Sequence, residues 1–135
     1  MCLNNWGGID HKVLEFHEYV NLFSGKSGSG KSTVMDAIQV ILYGSFSPSF
    51  LNKAADDAKN RRSVLSYLRG EQKDGSANRK DCDFCSVIAL EIEDTGTHII
   101  TCIGIAFEVR KSDSEIKKFV YFSHSGKMPE SEYLT

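Results

Sequence analysis

The sequence predicts an α/β fold, and three observations lead to this prediction. An apolar, β-prone segment at residues 19–23 is followed by a glycine-rich turn and a helix-forming stretch at residues 31–43. Apolar residues of that stretch have the spacing of a helix face packed on a sheet, namely Val34, Ala37, Ile38 and Ile41. The last third alternates apolar and polar residues, as strands do. We therefore expect a mixed sheet that carries this helix, together with an antiparallel β-lobe.

Three short strands are predicted ahead of the helix. Residues 3–6 and 13–16 have strand composition and are separated by a turn around Gly7 and Gly8. Residues 19–23 form the third predicted strand, which leads directly into the glycine-rich turn. The helix thus follows three strands.

Two helices are expected in the first half of the chain. The first, at residues 31–43, should end where Gly44 can adopt a left-handed cap, and Pro48 cannot continue it. The second is predicted at residues 56–68 and should stop at Gly70. Its apolar side consists of Val64, Leu65 and Leu68.

The remainder of the chain is predicted to be a polar connection followed by three strands. Residues 71–83 are polar and expected to be flexible. Residues 86–93 and 98–110 are expected to form an antiparallel hairpin around a turn at 94–97. A third strand is expected at residues 116–123, after a second polar turn.

Residues 25–32 match the complete phosphate-loop pattern G-x-x-x-x-G-K-[ST]. Gly25, Gly28 and Gly30 tolerate positive φ angles and have no Cβ atom to hold an anion away from the backbone. Lys31 is expected to reach the β- and γ-phosphates of a nucleotide, and the Ser32 hydroxyl to ligate Mg²⁺. The predicted strand–loop–helix context favours this interpretation over a glycine- and serine-rich linker.

Composition limits the remaining possibilities. With 135 residues, 41% of them hydrophobic, the chain can form one small domain or part of a larger one. No stretch approaches the ~20 apolar residues of a membrane span, and no signal peptide is recognisable, so we expect a cytoplasmic protein. Cysteines in that compartment are reduced. A single C-x-x-C at Cys82 and Cys85 lacks the second pair of a zinc site.

Charge is unevenly distributed along the chain. The formal net charge is −2, so the chain as a whole is not a polycation of the kind that binds nucleic acid. Between Lys53 and Lys80, however, eight basic residues stand against four acidic ones, a local balance of +4. This segment is either a solvated helix and loop or a surface for DNA, with Arg61, Arg62 and Arg69 as the candidate contacts.

Beyond the phosphate loop, the sequence shows no recognisable motif for nucleotide hydrolysis. Nucleotide hydrolysis requires a carboxylate at the end of a second buried strand. Residues 87–91 are four apolar residues followed by an acid, which imitates the pattern of such a strand. An amphipathic hairpin strand explains them better. Glu91, Glu93 and Asp94 are then expected to face solvent or to lie in a turn.

Several segments together resemble the N-terminal half of an ATPase head of the SMC-like, ABC-type class. The likeness is greatest to the MukB-like SMC subunit of bacterial Wadjet (JetC or MksB type) plasmid-defence condensins. It extends over nearly the whole chain and rests on residues 4–6, 23–33, 35–39, 42–44, 52–57, 67–70 and 90–95. The resemblance implies that residues 1–135 are a single partial domain, with strands, loop and helices at 1–70 and an antiparallel meander at 84–123.

The resemblance also implies ligands and partners. In such heads a coiled-coil arm follows, the C-terminal half returns with the hydrolytic motifs, and two heads sandwich two ATP molecules. Implied partners are therefore ATP with Mg²⁺, the C-terminal half of the head, a second head, double-stranded DNA and kleisin-type subunits.

Lys31 is the candidate catalytic residue. The candidate cofactor-binding residues are Gly25, Lys26, Ser27, Gly28, Ser29, Gly30, Lys31, Ser32 and Thr33, with Ser32 for Mg²⁺. Residues 4–6 lie where such heads approach the base or ribose, although Trp6 also suits core packing.

Two other functions remain open at this point. A small-molecule kinase can carry the same loop, but would place it on the first strand and continue with parallel β-α units. The other hypothesis is a regulatory module that binds a nucleotide without hydrolysing it. Because no second hydrolytic motif is present, we expect weak Mg-ATP binding and negligible turnover by this chain.

Overall fold

The computed structural model describes residues 1–45, 51, 63–72 and 74–127. Five strands and two helices lie within these ranges. In chain order they are β1 (Cys2–Trp6), β2 (Ile9–Val13), α1 (Lys31–Tyr43), α2 (Val64–Leu68), β3 (Phe84–Glu93), β4 (Ile100–Val109) and β5 (Lys118–Ser125).

The five strands form one sheet in the order β2-β1-β3-β4-β5, and all four strand pairs are antiparallel. The predicted hairpin of β3 and β4 is confirmed, with Phe84 opposite Val109 and Glu93 opposite Ile100. The expectation of a mixed sheet is wrong for the described residues. Hairpin connections join β1 to β2 and β3 through β5 in turn, and short connections of that kind produce antiparallel neighbours. Because β1 also pairs with β3, strands from both halves of the chain share one sheet.

Helix α1 covers one face of this sheet. Leu3, Ile88 and Ile105 are directly opposite one another on β1, β3 and β4, and each is fully buried. Apolar residues of α1 belong to the same buried cluster as this row. Of those that the spacing predicted, Val34, Ala37 and Ile41 are buried and Ile38 is partly buried, and Val40 is buried in addition. Burying a valine or isoleucine side chain stabilises the fold by about 1.5–3 kcal/mol, and burying the smaller Ala37 contributes less. The helix bounds match the prediction, and Gly44 caps the end with a φ of 62°.

Strand β1 breaks its alternation at Asn5. This residue has a φ of 51°, in the left-handed region that asparagine tolerates better than most residues. As a result Leu3 and Trp6, three residues apart, both belong to the same buried cluster. The Trp6 ring lies 4.8 Å from the ring of Tyr67 and 6.5 Å from that of Phe107. Core packing of Trp6 is thus what the structure shows.

Two of the three predicted early strands need correction. The second strand is Ile9–Val13 and not residues 13–16, because a tight turn at Gly7 and Gly8 starts it earlier. Residues 19–23 are not a strand, since no described strand lies beside them to complete a ladder. Strand propensity depends on such a neighbour. Tyr19, Val20 and Leu22 are 86%, 77% and 89% exposed.

The predicted second helix is only partly within the described residues. Residues 56–62 lie outside them, while α2 covers Val64–Leu68 and Gly70 follows with a φ of 67°. The connection at residues 71–83, expected to be flexible, contains an isolated bridge between Glu71 and Ala77. It also contains a buried arginine, Arg79. Packing therefore orders part of a segment whose composition is polar.

Candidate functional site

The loop at residues 25–30 adopts the backbone conformation that its glycines permit. Gly25, Gly28 and Gly30 have φ angles of 156°, 82° and 92°. A Cβ atom on Gly25 would lie 2.6 Å from the Ser29 hydroxyl oxygen, so a side chain there would collide with the loop itself. At Gly28 a Cβ would meet nothing within 4 Å, so this position faces open space. The loop thus presents bare backbone to a ligand.

Helix α1 begins directly behind the loop. Its N-cap is Gly30, and within the described residues no side chain caps the helix and no acidic residue lies in its first turn. The first helical hydrogen bond runs from the Val34 amide to the Gly30 carbonyl, at 3.1 Å. The amides that precede Val34 have no intrahelical acceptor, and the helix dipole adds positive potential at this end. Such a helix end attracts anions.

The Lys31 ammonium lies inside the loop. It donates hydrogen bonds to the carbonyls of Gly25 and Lys26, at 2.7 and 2.9 Å, and to the Ser29 hydroxyl at 3.1 Å. The loop is closed further by a bond from the Ser29 amide to the Lys26 carbonyl. The Lys31 ammonium is therefore held by two backbone carbonyls and one hydroxyl of the loop.

A buried polar layer fixes the start of α1. The indole Nε1 of Trp6 donates to the Thr33 carbonyl at 2.9 Å. One turn further on, the buried Asp36 carboxylate accepts a hydrogen bond from the Tyr67 hydroxyl at 3.1 Å. These bonds connect the helix that follows the loop to β1 and to α2. Sequence reasoning did not identify this role for Tyr67 or Asp36, because the partners are distant in the chain.

The loop opens onto a cleft of about 650 Å³. On one side lie the candidate residues from Ser27 to Thr33. The rest of the lining consists of residues that the sequence analysis did not assign to a site: Gly7, Gly8, Ile9, Tyr67, Gly70, Glu71 and Gln72. We name these seven residues the outer wall. Of the predicted set, Gly25 and Lys26 are not in contact with the cleft, and they contribute through the Lys31 bonds instead.

The basic segment is engaged within the chain where it is described. Arg69 Nη2 donates to the carbonyls of Arg110, Lys111 and Asp113 in the β4–β5 turn, at 2.9–3.2 Å. The same turn is held by Asp113, whose carboxylate accepts from the Arg110 amide. That bond is the main cause of a lowered pKa of Asp113. Arg69 thus has a structural partner, while Arg61 and Arg62 lie outside the described residues.

Acidic residues near the cleft are few among the described part of the chain. Glu93 and Asp94 are exposed, as expected for a hairpin strand and its turn, whereas Glu91 is half-buried on β3 opposite Cys102. Within the cleft lining, the carboxylate is that of Glu71. No group of three His, Cys, Asp or Glu residues in the described ranges is arranged for a metal ion. None of the four cysteines, all of them described, forms a disulfide.

The fold and the loop geometry define a P-loop region of the ATP-binding type at the start of a mixed α/β chain. In agreement, residues 1–58 match the family model described as the P-loop containing region of AAA domain. The chain is also similar to the C subunit of the nuclease SbcCD from Staphylococcus haemolyticus, with 33% identity over 72 residues. That alignment covers 50% of this chain and 6% of the relative, so the similarity is distant and partial.

Helices of the described residues are too short or too polar to cross a membrane.

Proposed function

We propose that this chain is the ATP-binding N-terminal segment of an SMC-like, DNA-associated ATPase head, most similar to the Wadjet type of condensin. The observation that carries this proposal is the glycine loop at residues 25–30, which encloses the Lys31 ammonium and leads into a helix start without a side-chain cap. Such a cradle suits a triphosphate. Gly25 to Thr33 are the proposed cofactor-binding residues, and residues 1–135 the proposed partial domain.

The fold context supports an SMC-like head over a kinase. The P-loop follows a β-hairpin of an antiparallel sheet, whereas a small kinase would have parallel strands with crossover helices. No parallel pair exists among the strands of the described residues. The partial similarity to a component of a nuclease supports an association with nucleic acid.

At the cleft, the proposed protein ligand for Mg²⁺ is Ser32. The Ser32 side chain is exposed and lines the cleft, so its hydroxyl is available as a single hard oxygen ligand. Mg²⁺ in nucleotide sites takes its other ligands from phosphate and water. We therefore propose that Mg²⁺ arrives with ATP and does not occupy a site of its own.

Hydrolysis and partners belong to the same proposal. We propose that the C-terminal half of the head supplies the hydrolytic carboxylate, because Glu91 lies outside the cleft lining. The carboxylate inside the lining, that of Glu71, follows α2 and does not stand at the end of a buried strand, as hydrolysis requires. A second head, DNA and a kleisin-type subunit follow from the resemblance. For DNA, Arg61 and Arg62 remain the proposed contacts, since Arg69 is bonded to the β4–β5 turn.

Calorimetric titration of the 135-residue chain with Mg-ATP tests the proposal. We expect measurable binding that Lys31→Ala weakens by about 10- to 100-fold, because a charge-assisted hydrogen bond contributes about 1.5–3 kcal/mol. Lys12→Ala, which removes an exposed lysine of β2, is the matched control and should bind like the wild type. ATP turnover should be negligible in all three proteins. A steady ATPase rate that depends on Lys31 would contradict the proposal that hydrolysis requires the C-terminal half of the head.

A further inference from the structure

Arg79 is a buried arginine in a polar connection. Its side chain is 7% exposed. Both Nε and Nη2 donate to the Leu68 carbonyl, at 3.1 and 3.0 Å, and Nη2 also donates to the Gly7 carbonyl. Nη1 forms an ion pair with Asp10 at 2.7 Å. One guanidinium therefore joins the end of α2 to the turn between β1 and β2.

These two elements form the outer wall of the cleft. Gly7 is a wall residue, and Leu68 is followed two residues later by the wall residues Gly70, Glu71 and Gln72. A Cβ on Gly70 would lie 2.9 Å from the Gly7 carbonyl oxygen, so the two backbones are in direct contact. Arg79 binds the carbonyls on both sides of this contact. Its guanidinium is thus placed to hold the two parts of the wall together.

Holding an arginine in this position has an energetic cost. Burial lowers the pKa of Arg79 from its ordinary value, and the ion pair with Asp10 opposes that shift. A buried charge is tolerated only when hydrogen bonds compensate the lost hydration. Here most of the compensation comes from backbone carbonyls next to the cleft, which a shorter or apolar side chain cannot reach or replace.

We propose that Arg79 is a positioning residue of the nucleotide cleft, which holds the outer wall in place for the nucleoside end of a nucleoside triphosphate. This inference rests on the proposed function. The P-loop faces the phosphates from one side, so the base and ribose must contact the remaining lining of the cleft. A wall made of two separate backbone segments binds well only if their spacing is fixed.

The test compares Mg-ATP with Mg-tripolyphosphate, which lacks the nucleoside. Arg79→Lys keeps the charge but cannot span both carbonyls. We expect it to weaken ATP binding about tenfold, as the loss of one charge-assisted hydrogen bond would, and to leave tripolyphosphate binding unchanged. Arg110→Met removes an arginine whose side chain is 65% exposed and pairs with Glu108, and should change neither affinity. Thermal melts verify that each variant is folded.

Two outcomes overturn the proposal. One is a folded Arg79→Lys protein with wild-type ATP affinity, and the other is an equal loss of ATP and tripolyphosphate binding, which indicates a general structural role. Hydrogen exchange of the wild type provides the answer if the variant does not fold. ATP, but not tripolyphosphate, should slow exchange at residues 7–9 and 70–72, and equal slowing by both refutes the inference. Failure of the proposed function looks different, because the wild type would then bind neither ligand.

Discussion

At the scale of single residues, Trp6 links the core to the phosphate loop. Its ring is fully buried and its Nε1 donates to the carbonyl of Thr33, in the first turn of α1. The indole therefore contributes apolar burial and one buried hydrogen bond. Both depend on the left-handed backbone of Asn5, which turns Trp6 towards the helix.

Trp6→Phe should separate these two contributions. Phenylalanine keeps most of the apolar surface but leaves the Thr33 carbonyl without its donor, which costs about 1–3 kcal/mol. Urea denaturation followed by circular dichroism measures the change, since the variant has no tryptophan left for fluorescence. Phe16→Leu, at an exposed aromatic outside the sheet, should have a smaller effect. Equal stability of Trp6→Phe and the wild type would show that the indole hydrogen bond is not significant.

At the scale of elements, the β3–β4 hairpin depends on Asp94. Its carboxylate accepts hydrogen bonds from the amides of Thr97 and Gly96, at 2.9 and 2.8 Å, and these bonds lower its pKa. The folded-state pKa is therefore below that of the unfolded chain, about 3.9. The stabilisation is present above that value and is lost as the pH falls through the lower, folded-state pKa.

Asp94→Asn should remove this pH dependence. At pH 7 the variant should unfold at a lower urea concentration than the wild type, because a neutral amide accepts weaker hydrogen bonds than a carboxylate. As the pH falls below the folded-state pKa of Asp94, the two midpoints should converge. Asp81→Asn is the control, since that side chain is 81% exposed and lies 4.0 Å from Lys111. A gap between Asp94→Asn and the wild type that stays constant down to about pH 2 would argue against this role.

At the scale of the whole molecule, apolar side chains are exposed immediately before the P-loop. Tyr19, Val20 and Leu22 are each more than three-quarters exposed. Exposed apolar side chains close together in the chain promote association between molecules. We therefore expect the isolated chain to self-associate at high concentration.

Changing both Val20 and Leu22 to lysine should reduce this association. Sedimentation velocity over a range of concentrations measures it, and Mg-ATP affinity should be retained because neither side chain lines the cleft. Ile99→Lys, at an apolar residue outside residues 19–22 that is 61% exposed, serves as the control and should leave the association as it is. If the double variant associates as strongly as the wild type, another surface is responsible.

The sequence by itself determined the features that depend on neighbouring residues. The bounds of α1 follow from helical spacing and from Gly44, and the β3–β4 hairpin follows from alternation around the turn at residues 94–97. The loop conformation follows from three glycines at positive φ. Each of these patterns lies within a short stretch of chain, where local backbone preference and side-chain periodicity decide the outcome.

Only the tertiary structure decided which distant residues meet. It placed Trp6 against Thr33, assigned Arg69 to the β4–β5 turn and buried Arg79 between Gly7 and Leu68. It also left residues 19–23 without a partner strand among the described residues, against their strand-like composition. Such contacts join residues up to 72 positions apart. They are selected by packing and by the need to pair buried polar groups, for which a local pattern carries no signal.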